Sequence, residues 1–115
     1  MTLQRGDVVR VDWPYSDRTG SKVRAAVVVQ DDPFNRLITD TILVLISRTH
    51  RAVGTTEVEI DPATETQCGL RYRSVISCTN LLTIDQGLIA QTIGHLSAPS
   101  MHQIDVSLKK ALGLP

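Results

Sequence analysis

The chain has 115 residues with twelve basic and twelve acidic side chains, so its formal net charge is zero and any contact with nucleic acid must depend on a local basic patch. This length is typical of one domain, which we expect to span residues 1–115, and a hydrophobic fraction of 42% beside a charged fraction of 21% excludes a disordered chain. Aromatic residues make up only 3% of the chain, which argues against a wide platform that stacks several bases.

The first predicted element is a strand that follows Gly6 and ends at Trp13 and Pro14. The strand is predicted from an alternation with period two, in which one set of side chains is Val8, Arg10 and Asp12 and the other is Val9, Val11 and Trp13. Residues 14–22 are rich in turn-forming side chains, and we expect an exposed, mobile hairpin loop there. Residues 22–30 read KVRAAVVVQ and are apolar on both faces. Such a run is typical of a buried central strand.

Residues 34–40 are predicted to be irregular or to form a single helical turn. Residues 41–46 read TILVLI and predict a second buried strand. Residues 47–55 are polar and basic, which indicates a loop. The two apolar runs are therefore expected to be neighbours at the centre of a sheet.

The short segment Glu57–Ile60 alternates as a strand does, and residues 63–73 are predicted to be a loop with a turn near Gly69. Residues 74–84 alternate again, which suits a half-buried strand. No element is predicted for residues 85–96. The sheet is thus expected to contain about five short strands.

The last predicted element is a helix. Ser97 is a good N-cap, Pro99 is tolerated in the first turn, and Gly113 suits the C-terminal end. Apolar residues at helical spacing form a stripe along one side of this helix, and the stripe must be buried against a sheet or a partner. It consists of Met101, Ile104, Leu108, Ala111 and Leu112. The predicted fold class is mainly β: a small, partly open antiparallel β-barrel with a C-terminal amphipathic helix.

Arg24 begins the predicted central strand, and Ser47 ends the next one. If these strands pair antiparallel, the two residues meet at one rim of the barrel. A guanidinium held there keeps its charge near neutral pH, which suits a phosphate site. The alternatives are an Arg24 that is paired with a carboxylate and a Ser47 that only caps a strand end.

Further basic and hydroxyl side chains are predicted in loops near this rim. A basic rim with a hydroxyl suits a phosphodiester, although a solvated loop and strand-flanking surface charges would explain the same residues. The group consists of Arg48, Thr49, His50, Arg51, Arg71 and Arg73.

No metal site and no cofactor site is expected. Cys68 and Cys78 lie in no CxxC pattern, and the three histidines have no second ligand at a suitable spacing. The amino-terminal residues contain no signal-peptide core, and no run is long enough to cross a bilayer. We therefore expect a cytoplasmic protein with two reduced thiols and no contact with a membrane.

Six blocks, in their order along the chain, resemble the MazF/PemK (Kid) toxins of type II toxin–antitoxin systems: GDVVRVDWP, a Gly-Ser loop, VRAAVVVQ, TILVLIS, TEVEI and SVISCTNLLTID. The resemblance runs from Arg5 to the C-terminal helix without a large insertion. It implies an SH3-like barrel that dimerises and cleaves single-stranded mRNA at short sequences without a metal. The products would be a 2′,3′-cyclic phosphate and a 5′-hydroxyl.

The resemblance also implies roles for single residues. Arg24 matches the catalytic arginine and would stabilise the phosphorane, while Ser47 stands where members usually carry a threonine and would hydrogen-bond a non-bridging oxygen. His50 titrates near neutral pH and is the candidate general base. The other residues expected to bind RNA are Trp13, Ser21, Lys22, Arg48, Thr49, Arg51, Arg71 and Arg73.

The chain departs from the family pattern at several positions. Ala25 replaces a proline, Ser47 replaces a threonine, and an acidic residue that many members carry before the arginine is absent. Ser77 and Thr79 stand where the Kid branch has Arg and Asp. A second function is therefore open, that of a binding protein on the same fold: a CcdB-like gyrase inhibitor or a degenerate toxin that only binds its antitoxin.

Two protein partners are expected. An antitoxin tail with acidic and apolar residues would lie over residues 14–22, against Trp13 and the basic rim. A sheet that is apolar on both faces, in a chain with a small core, also favours a homodimer.

Overall fold

A computed structural model describes residues 2–48 and 53–115. The described residues form six strands, two α-helices and one 3₁₀ turn. The strands are β1 (Asp7–Pro14), β2 (Ser21–Val28), β3 (Asp40–Ser47), β4 (Glu57–Ile60), β5 (Ser74–Asp85) and β6 (Gln91–His95). The helices are α1 (Asp32–Leu37) and α2 (Ala98–Leu112), and the 3₁₀ turn is Gln86–Leu88.

The six strands form one antiparallel sheet in the order β4-β5-β3-β2-β1-β6, and this sheet curls into a half-barrel. The predicted fold class, a partly open SH3-like barrel with a C-terminal helix, is confirmed. β2 and β3 are the two central strands, as their unbroken apolar sequences predict. Ala26, Val27 and Val28 of β2 have no exposed surface at all.

Each face of the sheet carries a buried apolar cluster. One core cluster lies between the sheet and α2 and includes Val27, Ile76 and Ile104. The other cluster covers the opposite face and includes Val9 and Leu43. Because side chains alternate along each strand, neighbouring valines of β1 and β2 enter different clusters, which explains the absence of a polar face in the central strands.

The C-terminal helix has the ends that its sequence predicts. Ser97 is the N-cap, and its hydroxyl accepts a hydrogen bond from the backbone N–H of Ser100. Gly113 ends the helix with a φ of +69°, in the left-handed region that favours glycine. Met101 and Ile104 are buried in the first core cluster, whereas Leu112 is 54% exposed, so its predicted place in the buried stripe is wrong.

Three other predictions need correction. The sheet has six strands instead of about five, because β6 pairs with β1 as an edge strand although its sequence lacks an apolar alternation. Residues 32–37 form a helix that begins earlier than the predicted turn, with Asp31 as its N-cap. β5 is half-buried only in its second part, since Ser74 to Cys78 are all buried.

Both cysteines are free and buried. Burial raises the pKa of the Cys78 thiol to about 11, so this thiol stays protonated at neutral pH. In the described parts of the chain, no helix is both long and apolar enough to cross a membrane.

Candidate functional site

The central strands place Arg24 and Ser47 opposite each other. In the register of β2 and β3, Ala25 pairs with Ile46, so Arg24 and Ser47 occupy the next opposite position. Opposite residues in an antiparallel pair project from the same face of a sheet. Both side chains line one cavity of about 630 Å³, which we call the Arg24–Ser47 cavity.

The Arg24–Ser47 cavity is strongly basic. Its described lining contains five cationic side chains and no carboxylate. The cationic residues are Arg10, Lys22, Arg24, Arg48 and Arg71. In a chain of zero net charge, such a cluster supplies the local positive potential that a polyanion requires.

Arg24 is not tied to an acidic side chain. Among residues 2–48 and 53–115, no carboxylate lies within ion-pair distance of its guanidinium, and no side chain accepts a hydrogen bond from it. The alternative of a structural ion pair therefore finds no support in the described structure. The guanidinium donors are available to a bound anion.

A second cavity, of about 430 Å³, lies on the other side of Arg24. We call it the Trp13 cavity, since Trp13 and Tyr15 of the β1–β2 hairpin line it together with Thr79 and Asn80 of β5. Arg24 is the one described residue that lines both cavities. Arg24 is therefore the residue through which the two described cavities adjoin.

The Trp13 cavity depends on an irregularity in β5. Val44 pairs with Leu81, but the next residue of β3, Leu45, pairs with Ser77, so residues 78–80 form a bulge. Bulges bend a strand and redirect its side chains. Here the Asn80 side chain donates a hydrogen bond to Ser77 Oγ at 2.8 Å, and the bulge brings Thr79 and Asn80 to the cavity.

The loop of residues 61–73 forms the far wall of the Arg24–Ser47 cavity and is fixed to β6. A Cβ at Gly69 would lie 2.0 Å from the carbonyl oxygen of Ile93, and a Cβ at Gly94 would lie 2.3 Å from the carbonyl carbon of Cys68. Only glycine permits this close backbone approach. The N–H of His95 also donates to the Gln67 carbonyl at 2.8 Å.

Glu65 fixes the same loop to α2. Its carboxylate accepts hydrogen bonds from the hydroxyls of Ser97 and Ser100. Burial alone would raise the pKa of Glu65, but the hydrogen bonds from Ser100 and Ser97 outweigh it and hold the pKa below its usual value. The cavity wall is thus held at both β6 and the first turn of α2.

Arg48 and Tyr72 stack on each other at this wall. The guanidinium carbon of Arg48 lies 4.0 Å from the centroid of the Tyr72 ring, which is the distance of a cation–π contact. Tyr72 remains 55% exposed and is the single aromatic residue in the described lining of the Arg24–Ser47 cavity.

The remaining sequence-predicted residues are not all at the cavities. Lys22, Arg48 and Arg71 line the Arg24–Ser47 cavity, and Trp13 lines the second one. Ser21 lines neither, and its hydroxyl donates to Asp12 at 2.9 Å. Arg73 is also outside both cavities. Thr49, His50 and Arg51 lie outside the described residues.

Arg73 has acidic partners. Its guanidinium forms an ion pair with Glu59 and lies 4.0 Å from Asp61, and its side chain is 70% exposed. Although Arg71 and Arg73 look alike in the sequence, only Arg71 lines the cavity.

Sequence reasoning missed Arg10, Tyr72 and Asn80. Arg10 could have been found from the sequence. It stands between Val9 and Val11, and a cation between two buried valines points to the opposite side of the strand, where it is exposed. Tyr72 and Asn80 reach the cavities through a glycine-dependent loop contact and a strand bulge, and neither feature has a simple sequence pattern. In the described residues, no group of three His, Cys, Asp or Glu side chains could hold a metal ion.

Residues 4–112 match the family model described as the PemK-like, MazF-like toxin of type II toxin–antitoxin systems. The chain belongs to this family. The match begins just before β1 and ends at the last residue of α2, so it covers every described strand and helix of this family member.

Curated relatives match the chain over nearly its whole length. Endoribonuclease MazF6 of Mycobacterium tuberculosis is 32% identical over 117 residues, which cover 99% of this chain and 100% of the relative. Endoribonuclease EndoA of Bacillus subtilis is 33% identical over 116 residues, which cover 99% of this chain and 97% of the relative.

Solved structures agree with the family assignment. A mycobacterial endoribonuclease in complex with its cognate antitoxin superposes with a TM-score of 0.80 at 25% identity, over 98% of this chain and 97% of that chain. A MazE–MazF structure from Deinococcus radiodurans, at 17% identity and a TM-score of 0.75, covers 100% of both chains and shows the same fold. These comparisons do not favour the alternative of a CcdB-like or degenerate binding protein.

Proposed function

We propose that this protein is the toxin of a type II toxin–antitoxin system and that it is an endoribonuclease acting on single-stranded mRNA in the cytoplasm, with residues 1–115 as one toxin domain. One observation carries the proposal. An arginine without an acidic partner among the described residues stands between two cavities, opposite a hydroxyl and among four other cations. Membership of the toxin family, and relatives named as endoribonucleases, support it.

The proposed reaction is a cyclising cleavage that needs no metal. The 2′-oxygen of the RNA attacks the neighbouring phosphorus, a new P–O2′ bond forms, and the P–O5′ bond breaks. The 2′-hydroxyl loses its proton to a base, and the departing 5′-oxygen gains one. The products are a 2′,3′-cyclic phosphate and a 5′-hydroxyl.

Arg24 and Ser47 stabilise the transition state in this proposal. Arg24 keeps its proton too firmly to act as a base, so it neutralises the charge on the equatorial phosphorane oxygens. It can also protonate the departing 5′-oxygen, because an alkoxide is a stronger base than a neutral guanidine. Ser47 donates a hydrogen bond to a non-bridging oxygen. Groups of this kind each lower a barrier by about 2–4 kcal/mol. His50 remains the candidate base.

The basic side chains bind the backbone of the RNA. Lys22, Arg48 and Arg71 line the cavity on one side of Arg24, where no described carboxylate competes for them. Trp13 lines the cavity on the other side, where its ring is available to a base. Ser21, Thr49 and Arg51 are further residues that we propose as RNA contacts. Arg73, which is paired with Glu59 outside both cavities, is proposed only as a weaker, peripheral contact.

The proposal also includes two protein partners. The basic Arg24–Ser47 cavity suits an antitoxin tail that carries acidic and apolar residues, which would exclude RNA while it is bound. A homodimer would cover large apolar side chains that a single chain exposes, among them Leu37 at 76% and Leu88 at 66%.

End mapping of cleaved RNA tests the activity. Purified protein is incubated with a pool of long single-stranded RNA in the presence of EDTA, and both ends of every product are identified. We expect cleavage at short sequences, with cyclic phosphate and 5′-hydroxyl ends, and none where the scissile nucleotide is 2′-deoxy. Intact RNA at high protein concentration, or cleavage that EDTA abolishes, would contradict the proposal.

A further inference from the structure

The geometry points to Tyr72, supported by Arg48, as a stacking platform for one RNA base beside the scissile phosphate. This inference rests on the proposed ribonuclease function and extends it from the phosphate to a base. Tyr72 is a substrate-positioning residue in this scheme, because it contacts the base and takes no part in the proton transfers.

The position of the ring is the first argument. Tyr72 lines the same cavity as Arg24 and Ser47, so a nucleotide whose phosphate contacts Arg24 can place its base toward the ring. The ring is 55% exposed although it stands in a cavity wall. An aromatic side chain that is open on a basic surface is the usual partner of an unstacked base.

The rigidity of the ring is the second argument. Arg48 packs at 4.0 Å from the ring centroid, and its guanidinium plane is positively charged. The loop that carries Tyr72 is fixed to β6 by the close approach of Gly69 and Gly94. A ring that is already held in place loses little conformational freedom when a base stacks on it, which favours binding.

The surroundings argue for RNA as the occupant. A neutral apolar ligand would gain nothing from the cations that line this cavity, Arg71 next to Tyr72 among them. A nucleotide uses both kinds of group, since its phosphate meets the cations and its base meets the ring. Stacking tolerates every base, so Tyr72 contributes affinity and placement more than sequence choice.

Two substitutions of Tyr72 separate the ring from the hydroxyl. Tyr72→Phe keeps the ring, and Tyr72→Leu keeps an apolar side chain without it. The matched control is Phe34→Leu, which removes a 53% exposed ring from α1, outside both cavities. Circular dichroism melting curves establish that each variant is folded.

The ligand is a short RNA that spans a cleavage site mapped with the wild-type protein, with 2′-O-methyl groups that prevent cleavage. Dissociation constants are measured by fluorescence anisotropy. We expect Tyr72→Leu to bind about 5- to 100-fold more weakly than wild type, and Tyr72→Phe and Phe34→Leu to bind within about twofold of it. With a cleavable RNA, Tyr72→Leu should raise KM with little change in kcat.

Abasic nucleotides, placed one at a time along this RNA, identify the stacked base. At one position next to the scissile phosphate, loss of the base should weaken wild-type binding and leave Tyr72→Leu unaffected, because the partner is already missing. Two results would contradict the stacking proposal in a wild type that cleaves RNA: equal binding by Tyr72→Leu, or the absence of this coupling at every position. In either case the ribonuclease proposal would stand. If the wild type cleaves no RNA, both proposals fail.

Discussion

Arg5 differs in its surroundings from two other arginines of this protein, Arg24 and Arg71. Arg5 donates to the carboxylate of Asp105 at 2.5 Å and to the backbone carbonyl of Val29 at 2.9 Å, and so ties the amino terminus to α2. Arg24 and Arg71 line a cavity whose described residues include no carboxylate. The first arrangement satisfies a cation inside the protein, while the second leaves its hydrogen-bond donors for a ligand.

This difference distinguishes arginines that stabilise the fold from arginines that are available to bind a ligand. An arginine whose partners are all in the chain contributes to stability, and its loss should leave activity per folded molecule unchanged. An arginine without an internal partner adds little to stability and can be removed without unfolding. The following predictions test this separation, from the largest expected effect to the smallest.

Arg24→Ala should abolish most of the cleavage and leave the fold intact. Loss of the group that neutralises the phosphorane should reduce kcat by about 10²–10³-fold, because no other described residue lines both cavities. Cleavage rates and melting temperatures are measured for this variant and for Arg36→Ala, an exposed arginine in the last turn of α1. A melting temperature well below that of Arg36→Ala would show that Arg24 is structural.

Ser47→Ala should reduce kcat by about 30- to 1,000-fold, which corresponds to about 2–4 kcal/mol for one hydrogen bond to a charged oxygen. Ser47→Thr restores a hydroxyl at the same strand position and should recover most of the rate. Single-turnover kinetics measure the chemical step in both variants. Equal rates for Ser47→Ala and wild type would leave Ser47 as a strand-end residue without a role in the reaction.

Arg5→Ala should have the opposite profile to Arg24→Ala. It removes an ion pair with Asp105 and a bond to a backbone carbonyl, so the free energy of unfolding should fall by about 1–2 kcal/mol. Urea titration measures the loss, and the cleavage rate per folded molecule should stay within about twofold of wild type. A large fall in that rate would mean that Arg5 also serves the reaction.

Arg71 and Arg73 offer a closely matched pair, two residues apart. Arg71 lines the cavity, whereas Arg73 is paired with Glu59 outside it. For an uncleavable RNA, Arg71→Gln should flatten the plot of log Kd against log salt by about 0.7, the value for one contact with a single-stranded phosphate. Arg73→Gln should flatten it much less. Equal slopes for the two variants would show that Arg73 exchanges Glu59 for the RNA backbone.

Glu65 gives the smallest effect, which depends on pH. Its pKa is lower in the folded protein than the ordinary value of 4.5, so the unfolded chain binds its proton more readily. The stabilisation is therefore complete above that value and is lost as pH falls from it through the lower pKa of the folded state. Urea titrations between about pH 6 and pH 3 should show a smaller loss of stability for Glu65→Gln than for wild type. Parallel curves would contradict this role.

The sequence predicted most of the elements because their signals are local. Unbroken apolar runs marked β2 and β3, and Ser97 and Gly113 marked the ends of α2. It did not predict β6, since Gln91 to His95 form a strand only by pairing with β1 at the edge of the sheet. Leu112 fitted the helical stripe by spacing, yet its side chain is 54% exposed in the folded chain.

For the candidate site, too, some features could be predicted from the sequence and others could not. The sequence alone placed Arg24 at the start of one buried strand and Ser47 at the end of the next, because unbroken apolar runs mark buried strands. Only the structure shows that these strands pair antiparallel and that Arg24 lies in the middle of β2, since β2 already begins at Ser21. Tertiary structure alone decided which arginines have acidic partners and that Arg48 lies over Tyr72. The physical reason is distance along the chain: ion pairs and stacking act over a few ångströms, and Arg5 meets Asp105 across 100 residues of sequence.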